Sequence, residues 1–250
     1  MISKNTVKLV RSLEQKKHRQ REGLFVGEGP KVVGDLLSAG FVPKLLFATN
    51  EWRCKGSDDS WRAQCAVCEV TSDELRKLSF LQHPQQVLAV FQLPERGAQE
   101  PVDNQKLYLA LDGVQDPGNL GTIIRLADWF GIDTVWCSED TVDAWNPKVV
   151  QGTMGSIARV RVVYADLESL LAQTDMPVYG TLLDGENIYS QKLTKNGFIV
   201  MGNEGNGISQ GIRRHITGKL LIPKFHEGPE SLNVAIATAI VCSEFKRCWQ

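Results

Sequence analysis

Residues 111–127 read LDGVQDPGNLGTIIRLA, and this stretch decides how the second half of the chain folds. A strand is predicted before it, over residues 107–111, and a helix after the loop, over residues 120–130. The loop has neither the GxGxxG spacing of dinucleotide sites nor the GxxxxGK[ST] spacing of phosphate loops. Taken alone, Asn119 is typical of a helix N-cap and Arg125 of an exposed helical arginine.

Beyond residue 106, β-type and helical segments alternate. The predicted strands span residues 107–111, 134–136, 160–163, 178–182, 198–201 and 219–222. The predicted helices span residues 120–130, 146–152, 167–173, 209–215 and 231–247. This alternation predicts an α/β fold whose mostly parallel sheet has helices on both faces. Ligands of such sheets bind beyond the carboxyl ends of the strands, so function is expected in the segments that follow strands.

Two more segments of this kind are rich in glycine or small polar residues: VMGNEGNGI at 200–208 and LIPKFHEGPESLNVA at 221–235. Glycines there allow a ligand to approach the main chain closely. The alternative to a functional role for residues 200–208 is an ordinary loop in which Glu204 is solvated. For the second it is a helix N-terminus, with Ser231 as N-cap and Asn233 in the first turn.

Together the three segments resemble the signature motifs of the SpoU (TrmH-type) RNA 2′-O-ribose methyltransferases of the SPOUT superfamily. The first motif, N-x-G-x-x-x-R-x-A, is matched by Asn119, Gly121, Arg125 and Ala127. The second, G-x-E-x-x-G, is matched by Gly202, Glu204 and Gly207. The third, I-P followed by S-L-N-V-x-x-A, is matched by Ile222, Pro223, Ser231, Leu232, Asn233, Val234 and Ala237. The stretch between Pro223 and Ser231 departs from the pattern, because it is slightly longer than in many members and carries Lys224, Phe225 and His226.

The resemblance implies a C-terminal trefoil knot, which no strand pattern predicts because threaded chains are rare. It also implies that S-adenosyl-L-methionine binds between the second and third segments, at Gly202, Asn203, Ile222 and Leu232. Glycine leaves the main chain accessible there, and apolar residues give a purine ring a dry wall. No metal is implied.

The same resemblance places Arg125 beside the ribose hydroxyl that is methylated. Arginine stays protonated, so stabilising developing alkoxide charge and holding a phosphate suit it better than acting as a neutral base. Asn119 is expected to orient Arg125 or the nucleotide, and Glu204 to pair with Arg125. Ser231 and Asn233 are expected to hydrogen-bond substrate phosphate or the motif loops.

The first 95 residues resemble, more weakly, the ribosomal-protein-like RNA-binding domain that often precedes this catalytic domain. Predicted domains are therefore 1–95 for substrate RNA, a linker at 96–105, and 106–250 for methyl transfer. A single amphipathic helix is predicted over residues 4–21, which hold seven Lys or Arg and one acid. Its cationic face is either solvated or in contact with RNA.

The overall composition and charge limit which binding partners and which cellular compartment can be expected. The net charge of −1 does not favour a polyanion partner, so RNA binding has to rest on local patches. The six cysteines are scattered, and the chain opens without a secretory pattern, so a cytoplasmic protein with reduced thiols is expected. Cys65 and Cys68 form a CxxC whose nearby metal-ligand candidates are Cys54 and His83, and ordinary cysteines are the preferred interpretation.

These features predict a homodimeric enzyme that acts on RNA, with ribosomal RNA favoured over transfer RNA, and without a membrane or DNA partner. Two alternatives remain: a non-catalytic RNA-binding or ribosome-associated protein with the same fold, and a dinucleotide-dependent enzyme. Intact Asn119, Arg125, Glu204, Ser231 and Asn233 argue against the first, and the absent GxGxxG against the second.

Overall fold

The computed structural model describes residues 2–52, 61, 65–94, 102–226 and 231–249. They form two compact units: one from within Met1–Ala98 and Asp143–Arg159, the other from within Gln99–Val142 and Val160–Gln250. The segment 143–159, which lies in the predicted catalytic half, thus packs with the N-terminal residues. Most of the predicted linker lies outside the described residues.

The first unit contains a four-stranded sheet in the order β1-β4-β2-β3. Its elements are α1 (Lys4–Ser12), α2 (Lys16–Glu22), β1 (Leu24–Glu28), α3 (Pro30–Ser38), β2 (Pro43–Ala48), β3 (Val67–Glu69), α4 (Ser72–Leu78), β4 (Val87–Gln92) and, from the distant segment, α6 (Pro147–Gly152). Strand β4 pairs antiparallel with both β1 and β2. Helix α4 begins with a reciprocal capping box, which Thr71 and Glu74 form.

The prediction of one helix over residues 4–21 is wrong, because the chain forms α1 and α2 with a break at residues 13–15. Arg19 explains the break. Its guanidinium donates to the carbonyl oxygens of Leu13 and Glu14 at 2.8 and 2.7 Å, groups that a continuous helix would have used internally. It also donates from Nε to Asp143 at 2.9 Å, and Arg19 is 1% exposed. At least this cation of the segment is therefore structural.

The second unit holds a six-stranded parallel sheet in the order β10-β8-β9-β5-β6-β7. Its elements are β5 (Leu107–Leu111), α5 (Pro117–Trp129), β6 (Thr134–Cys137), β7 (Arg161–Tyr164), α7 (Leu167–Ala172), β8 (Val178–Asn187), β9 (Gly197–Met201), α8 (Gln210–Arg213), β10 (Gly218–Leu221) and α9 (Val234–Arg247). The central strands β5 and β9 are buried along their whole length. This is the predicted α/β sheet, and it sets the carboxyl ends of neighbouring strands at one edge.

Two helix starts differ from the prediction. Helix α5 begins at Pro117, after Asp116 rather than Asn119 as N-cap. Helix α9 begins at Val234, and its N-cap is Asn233 rather than Ser231. In both cases the capping oxygen belongs to the side chain of the residue directly before the first helical residue.

None of the described helices combines the length and the apolar character that a membrane crossing requires. Cys65 is buried and Cys68 is exposed, while Cys54 lies outside the described residues. Within the described residues, no group of three or more His, Cys, Asp or Glu side chains is placed to hold a metal ion. Burial raises the pKa of Cys242 to about 12, so this thiol stays protonated.

Candidate active site

The first motif lies where β5 turns into α5. The Asp116 carboxylate accepts the Asn119 N–H at 2.8 Å, and Pro117 occupies the first helical position, where a missing N–H is harmless. The capped turn fixes Asn119 at the start of the helix, close to the carboxyl edge of the sheet.

The second motif is a tight loop after β9. Asn203 and Gly207 exchange two backbone hydrogen bonds of 3.0 and 2.9 Å. A Cβ on Gly202 would collide with the carbonyl carbon of Gly207, so glycine is required there. The Asn203 amide donates to the carbonyl of Gly113 at 2.7 Å, which ties this loop to the first motif's loop.

The side chain of Asn203 is fully engaged inside the loop. Its Oδ1 accepts the N–H groups of Gly205 and Asn206 at 2.9 and 3.0 Å, in addition to the bond that its amide donates. Asn203 was predicted to bind the cofactor. The geometry gives its side chain the task of shaping the loop, which leaves the main chain of the loop as the part that can face a ligand.

Residues of all three motifs meet through Asn119. Its Nδ2 donates to Glu204 Oε1 at 2.8 Å, and its Oδ1 accepts from Asn233 Nδ2 at 2.9 Å. We call Asn233, Asn119 and Glu204 the motif triad. The predicted convergence of the three segments is confirmed for these three residues, which lie up to 114 positions apart.

Asn233 has two tasks in this arrangement. Its Oδ1 caps α9 by accepting the N–H groups of Ala235 and Ile236 at 2.9 and 3.3 Å, while its Nδ2 donates to Asn119. The start of α9 is thereby tied to the start of α5. An asparagine suits this position because one amide supplies both an acceptor and a donor.

Arg125 lies apart from the motif triad. It is exposed, and no described residue hydrogen-bonds or ion-pairs with its side chain. The expected pair between Glu204 and Arg125 is not formed, because Asn119 binds Glu204 instead. Arg125 lies six residues beyond Asn119, which places it about 9 Å further along the helix and on another face.

Arg125 shares its exposed helix face with Thr122 and Trp129, spaced as i, i+3 and i+7. Trp129 is 84% exposed. The guanidinium is therefore free to meet an anion, and it stands beside an uncovered aromatic ring.

The remaining predicted residues line the third motif. Ser231 and Leu232 are exposed and Ile222 is half-buried. No hydrogen bond joins the Ser231 side chain to another described residue. The structure thus brings Asn119, Glu204 and Asn233 into direct contact, and leaves Arg125, Ser231 and Leu232 facing outward.

Sequence reasoning missed two residues whose side chains hold the strand-end loops in place. The buried Asp112 accepts the Ser209 N–H at 2.6 Å, linking the loops after β5 and β9. Ser138, at the end of β6, accepts the Gly113 N–H at 2.8 Å. A signal was available, because Asp112 and Ser138 each directly follow a buried strand of the predicted parallel sheet.

Comparison with known proteins agrees with these motifs. Residues 106–243 match the profile of the SpoU rRNA Methylase family, and residues 4–89 match the MRM3-like substrate binding domain. The chain is 34% identical to the 23S rRNA (guanosine(2553)-2′-O)-methyltransferase RlmP of Bacillus subtilis, over 94% of this chain and 93% of that protein.

Solved structures give the same result. A TrmH-family protein from Porphyromonas gingivalis is 40% identical, with a TM-score of 0.84 and 99% of each chain covered. An AdoMet-bound rRNA methyltransferase from Sinorhizobium meliloti is 30% identical, with a TM-score of 0.85 and coverage of 99% and 97%. The chain belongs to the SpoU rRNA methylase family.

Proposed function

We propose that this protein transfers a methyl group from S-adenosyl-L-methionine to a ribose 2′-hydroxyl of ribosomal RNA. The observation that carries the proposal is the motif triad, which joins the three family motifs at the carboxyl edge of the parallel sheet. Further support is that the Bacillus subtilis relative is named for 2′-O-methylation of a 23S rRNA guanosine, and that the Sinorhizobium meliloti structure contains AdoMet.

The strand-end loops fit the cofactor. Gly202 is half-buried and has no room for a side chain, so no side chain at this position covers the main chain of the loop. Leu232 is a 52% exposed apolar residue beside the motif triad's Asn233, and Ile222 offers a second apolar surface. Main chain from Gly202 and apolar groups from Ile222 and Leu232 would hold the adenosine part, while Asn203 keeps the loop in shape. When bound, the cofactor supplies a methyl group already activated by its sulfonium.

The protein's own task is to position the ribose hydroxyl and to favour loss of its proton. We assign to Arg125 the stabilisation of the developing alkoxide and the grip on a neighbouring phosphate, because its guanidinium is exposed and unpaired among the described residues. Asn119 positions the nucleotide through the motif triad, and Glu204 fixes the orientation of the Asn119 amide. Ser231 and Asn233 provide polar groups for the substrate at the third motif.

We further propose that the protein acts as a homodimer, because three apolar side chains of α5, α9 and the adjoining motif lie uncovered. Trp129 is 84%, Ile236 53% and Leu232 52% exposed. Arg125 shares the face of Trp129, so a dimer that covers this face would bring Arg125 next to the partner. Light scattering of Trp129→Asp against wild type tests this, and a monomer is expected only for the variant.

We include in this proposal the C-terminal trefoil knot, which the family likeness implies. We also include a cytoplasmic location, which the scattered cysteines favour. The N-terminal unit is proposed to bind the RNA. Exposed cations on α1 and α2, namely Lys4, Lys8, Arg11, Lys16, Lys17 and Arg21, give it a local positive surface despite the net charge.

The decisive experiment maps ribose methylation in cellular RNA with and without this gene. One missing 2′-O-methyl mark in ribosomal RNA is the expected result, whereas a missing mark in transfer RNA would redirect the proposal. Purified protein should methylate bulk ribosomal RNA and leave DNA of the same sequence unchanged. Calorimetry should detect S-adenosyl-L-methionine and not NAD, and cofactor binding without turnover would favour the non-catalytic alternative.

A further inference from the structure

An open pocket of about 320 Å³ lies within the first unit. It is lined by Val26, Glu28, Phe80, Leu81, Pro147, Lys148, Gln151, Gly152 and Met154. We call it the β1–α6 slot, because its walls come from the end of β1, the loop after α4, and α6 with its following turn. Its volume is at the low end of the range for ligand sites, roughly 300–1,000 Å³.

The chemistry of the β1–α6 slot is apolar with a few polar groups at the margin. Val26, Leu81, Pro147 and Met154 provide flat or flexible apolar surface, and Phe80 adds a half-buried aromatic ring. Such walls suit a planar heterocycle, since a base gains free energy from stacking whatever its sequence identity.

Contacts with Arg11 and Glu28 hold Phe80 in place. The guanidinium of Arg11 lies over it, 4.8 Å from the ring centroid, and donates a hydrogen bond to the carbonyl of Ser79. The Phe80 N–H in turn donates to Glu28 at 2.8 Å. An aromatic wall fixed in this way costs little conformational entropy when a ligand binds.

The one carboxylate of the lining is Glu28, and it is 6% exposed. Each of its oxygens accepts one hydrogen bond, Oε2 from Ser79 Oγ and Oε1 from the Phe80 N–H. An ionised carboxylate offers about four acceptor positions, so it can accept two further N–H groups. Lys148, which is exposed, adds a donor on the α6 side.

The turn after α6 is strained. Met154 has a φ of +53°, one of two left-handed backbones among the described non-glycine residues; the other is Gln86, with φ +40°. Such conformations are sparsely populated and cluster at ligand sites. Met154 is also 39% exposed, although it is a large apolar residue.

We propose that the β1–α6 slot binds a guanine base of the substrate RNA, stacked along Phe80 and Met154 and recognised by Glu28. Guanine fits because its Watson–Crick edge presents two adjacent N–H donors, which a carboxylate accepts, and a carbonyl, which Lys148 can reach as donor. Adenine, cytosine and uracil lack that pair of adjacent donors. This inference rests on the proposed function, because it takes RNA as the substrate.

The test measures binding of the full chain to short single-stranded RNAs by fluorescence anisotropy. The RNAs are uridine-rich and carry guanosine, inosine or adenosine at one central position. Wild type should bind the guanosine RNA at least about fivefold more tightly than the adenosine RNA. Inosine, which lacks the exocyclic amino group, should fall between them.

Met154→Gly is the main variant, because glycine relieves the left-handed backbone and so should keep the fold while removing one wall of the slot. Its matched control is Gln86→Gly, which relieves the same kind of strain outside the slot. We expect Met154→Gly to lower affinity for the guanosine RNA at least about fivefold, and Gln86→Gly to leave it unchanged. Glu28→Gln should remove the preference for guanosine over adenosine while RNA binding persists.

The outcomes separate the two proposals. Equal affinity of wild type for all three RNAs, or equal effects of Met154→Gly and Gln86→Gly, overturns the guanine slot and leaves the methyltransferase proposal standing. If the chain bound none of these RNAs and also failed to methylate ribosomal RNA, the proposed function itself would be wrong.

Discussion

Arg19 in the first unit and Arg125 in the second unit show opposite uses of a polar side chain. In the first unit, Arg19 is buried and hydrogen-bonded to Asp143 and two carbonyl oxygens. In the second unit, Glu204 and Asn233 of the motif triad are exposed, and Arg125 is exposed without a partner among the described residues. A buried and hydrogen-bonded group such as Arg19 stabilises the fold, whereas an exposed group such as Arg125, without a partner among the described residues, is available for a substrate. Substitution of Arg19 should therefore affect stability, and substitution of Arg125 should affect turnover.

The largest expected effect is on stability, from Arg19→Met. It leaves Asp143 and the carbonyls of Leu13 and Glu14 without their partner, so we expect the free energy of unfolding to fall by about 3–5 kcal/mol. Urea denaturation measures this. Arg21→Ala is the control, since Arg21 forms an exposed pair with Glu22 and should change stability by at most about 1 kcal/mol.

A double variant tests the reason for that loss. Adding Asp143→Asn to Arg19→Met removes the uncompensated charge and should restore part of the lost stability. If Arg19→Met were no more destabilising than Arg21→Ala, the structural role given to the buried Arg19 would be contradicted.

The next effect is on turnover, from Arg125→Ala. Loss of a group that stabilises developing negative charge should lower kcat about 10²–10³-fold. Affinity for S-adenosyl-L-methionine, measured by calorimetry, should stay within about twofold, and stability should not change because Arg125 is exposed. Arg214→Ala is a matched control, since Arg214 is an exposed arginine of the same unit that pairs with Glu168 at 3.3 Å. Parallel loss of turnover and cofactor affinity would contradict the role given to Arg125.

The sequence predicts the second unit well, because regular structure and motifs are local. Each strand of the parallel sheet was predicted within a few residues, except that β8 runs on to Asn187. The motif residues Asn119, Glu204 and Asn233 were identified from their spacing. Their mutual bonds were not, since they depend on side-chain rotamers that spacing does not specify.

The first unit shows what a local pattern leaves out. The period of apolar residues in 4–21 is that of one helix, but a tertiary contact of Arg19 with Asp143 breaks it. These two residues lie 124 positions apart. Nothing near Asp143 in the sequence indicates that residues 143–159 pack with the N-terminal unit.

A smaller effect is expected from Asn119→Ala, which removes both bonds of the motif triad. Hydrogen bonds to charged groups are worth more than neutral ones, so turnover should fall about tenfold to a hundredfold through misplacement of the nucleotide. Stability should change by less than about 1 kcal/mol, because Glu204 and Asn233 remain solvated. Thr122→Ala, at an exposed position of the same helix, is the control. An Asn119→Ala enzyme that kept full turnover would show that the motif triad joins the three segments without contributing to turnover.

The smallest expected effect is on the pH dependence of stability, which should differ between Glu28 in the first unit and Asp184 in the second. Burial raises the pKa of Glu28 above its ordinary 4.5, and bonds from Ser79 and Phe80 only partly oppose this. Between 4.5 and the raised pKa the folded chain binds more protons than the unfolded chain, so the contribution of Glu28 to stability falls as pH rises through that window. Asp184 in the second unit is the opposite case, because hydrogen bonds from Lys219 and Arg213 lower its pKa below 3.8. Its contribution is present above pH 3.8 and is lost as pH falls through the lowered pKa.

Urea midpoints of Glu28→Gln and Asp184→Asn, each compared with wild type from pH 3 to pH 8, measure both slopes. Wild type should lose stability relative to Glu28→Gln as pH rises above about 4.5, because only wild type must ionise a buried carboxyl group. Relative to Asp184→Asn, it should lose stability only in the most acidic samples. Slopes of the same sign for both variants would mean that Glu28 is better solvated than its burial indicates.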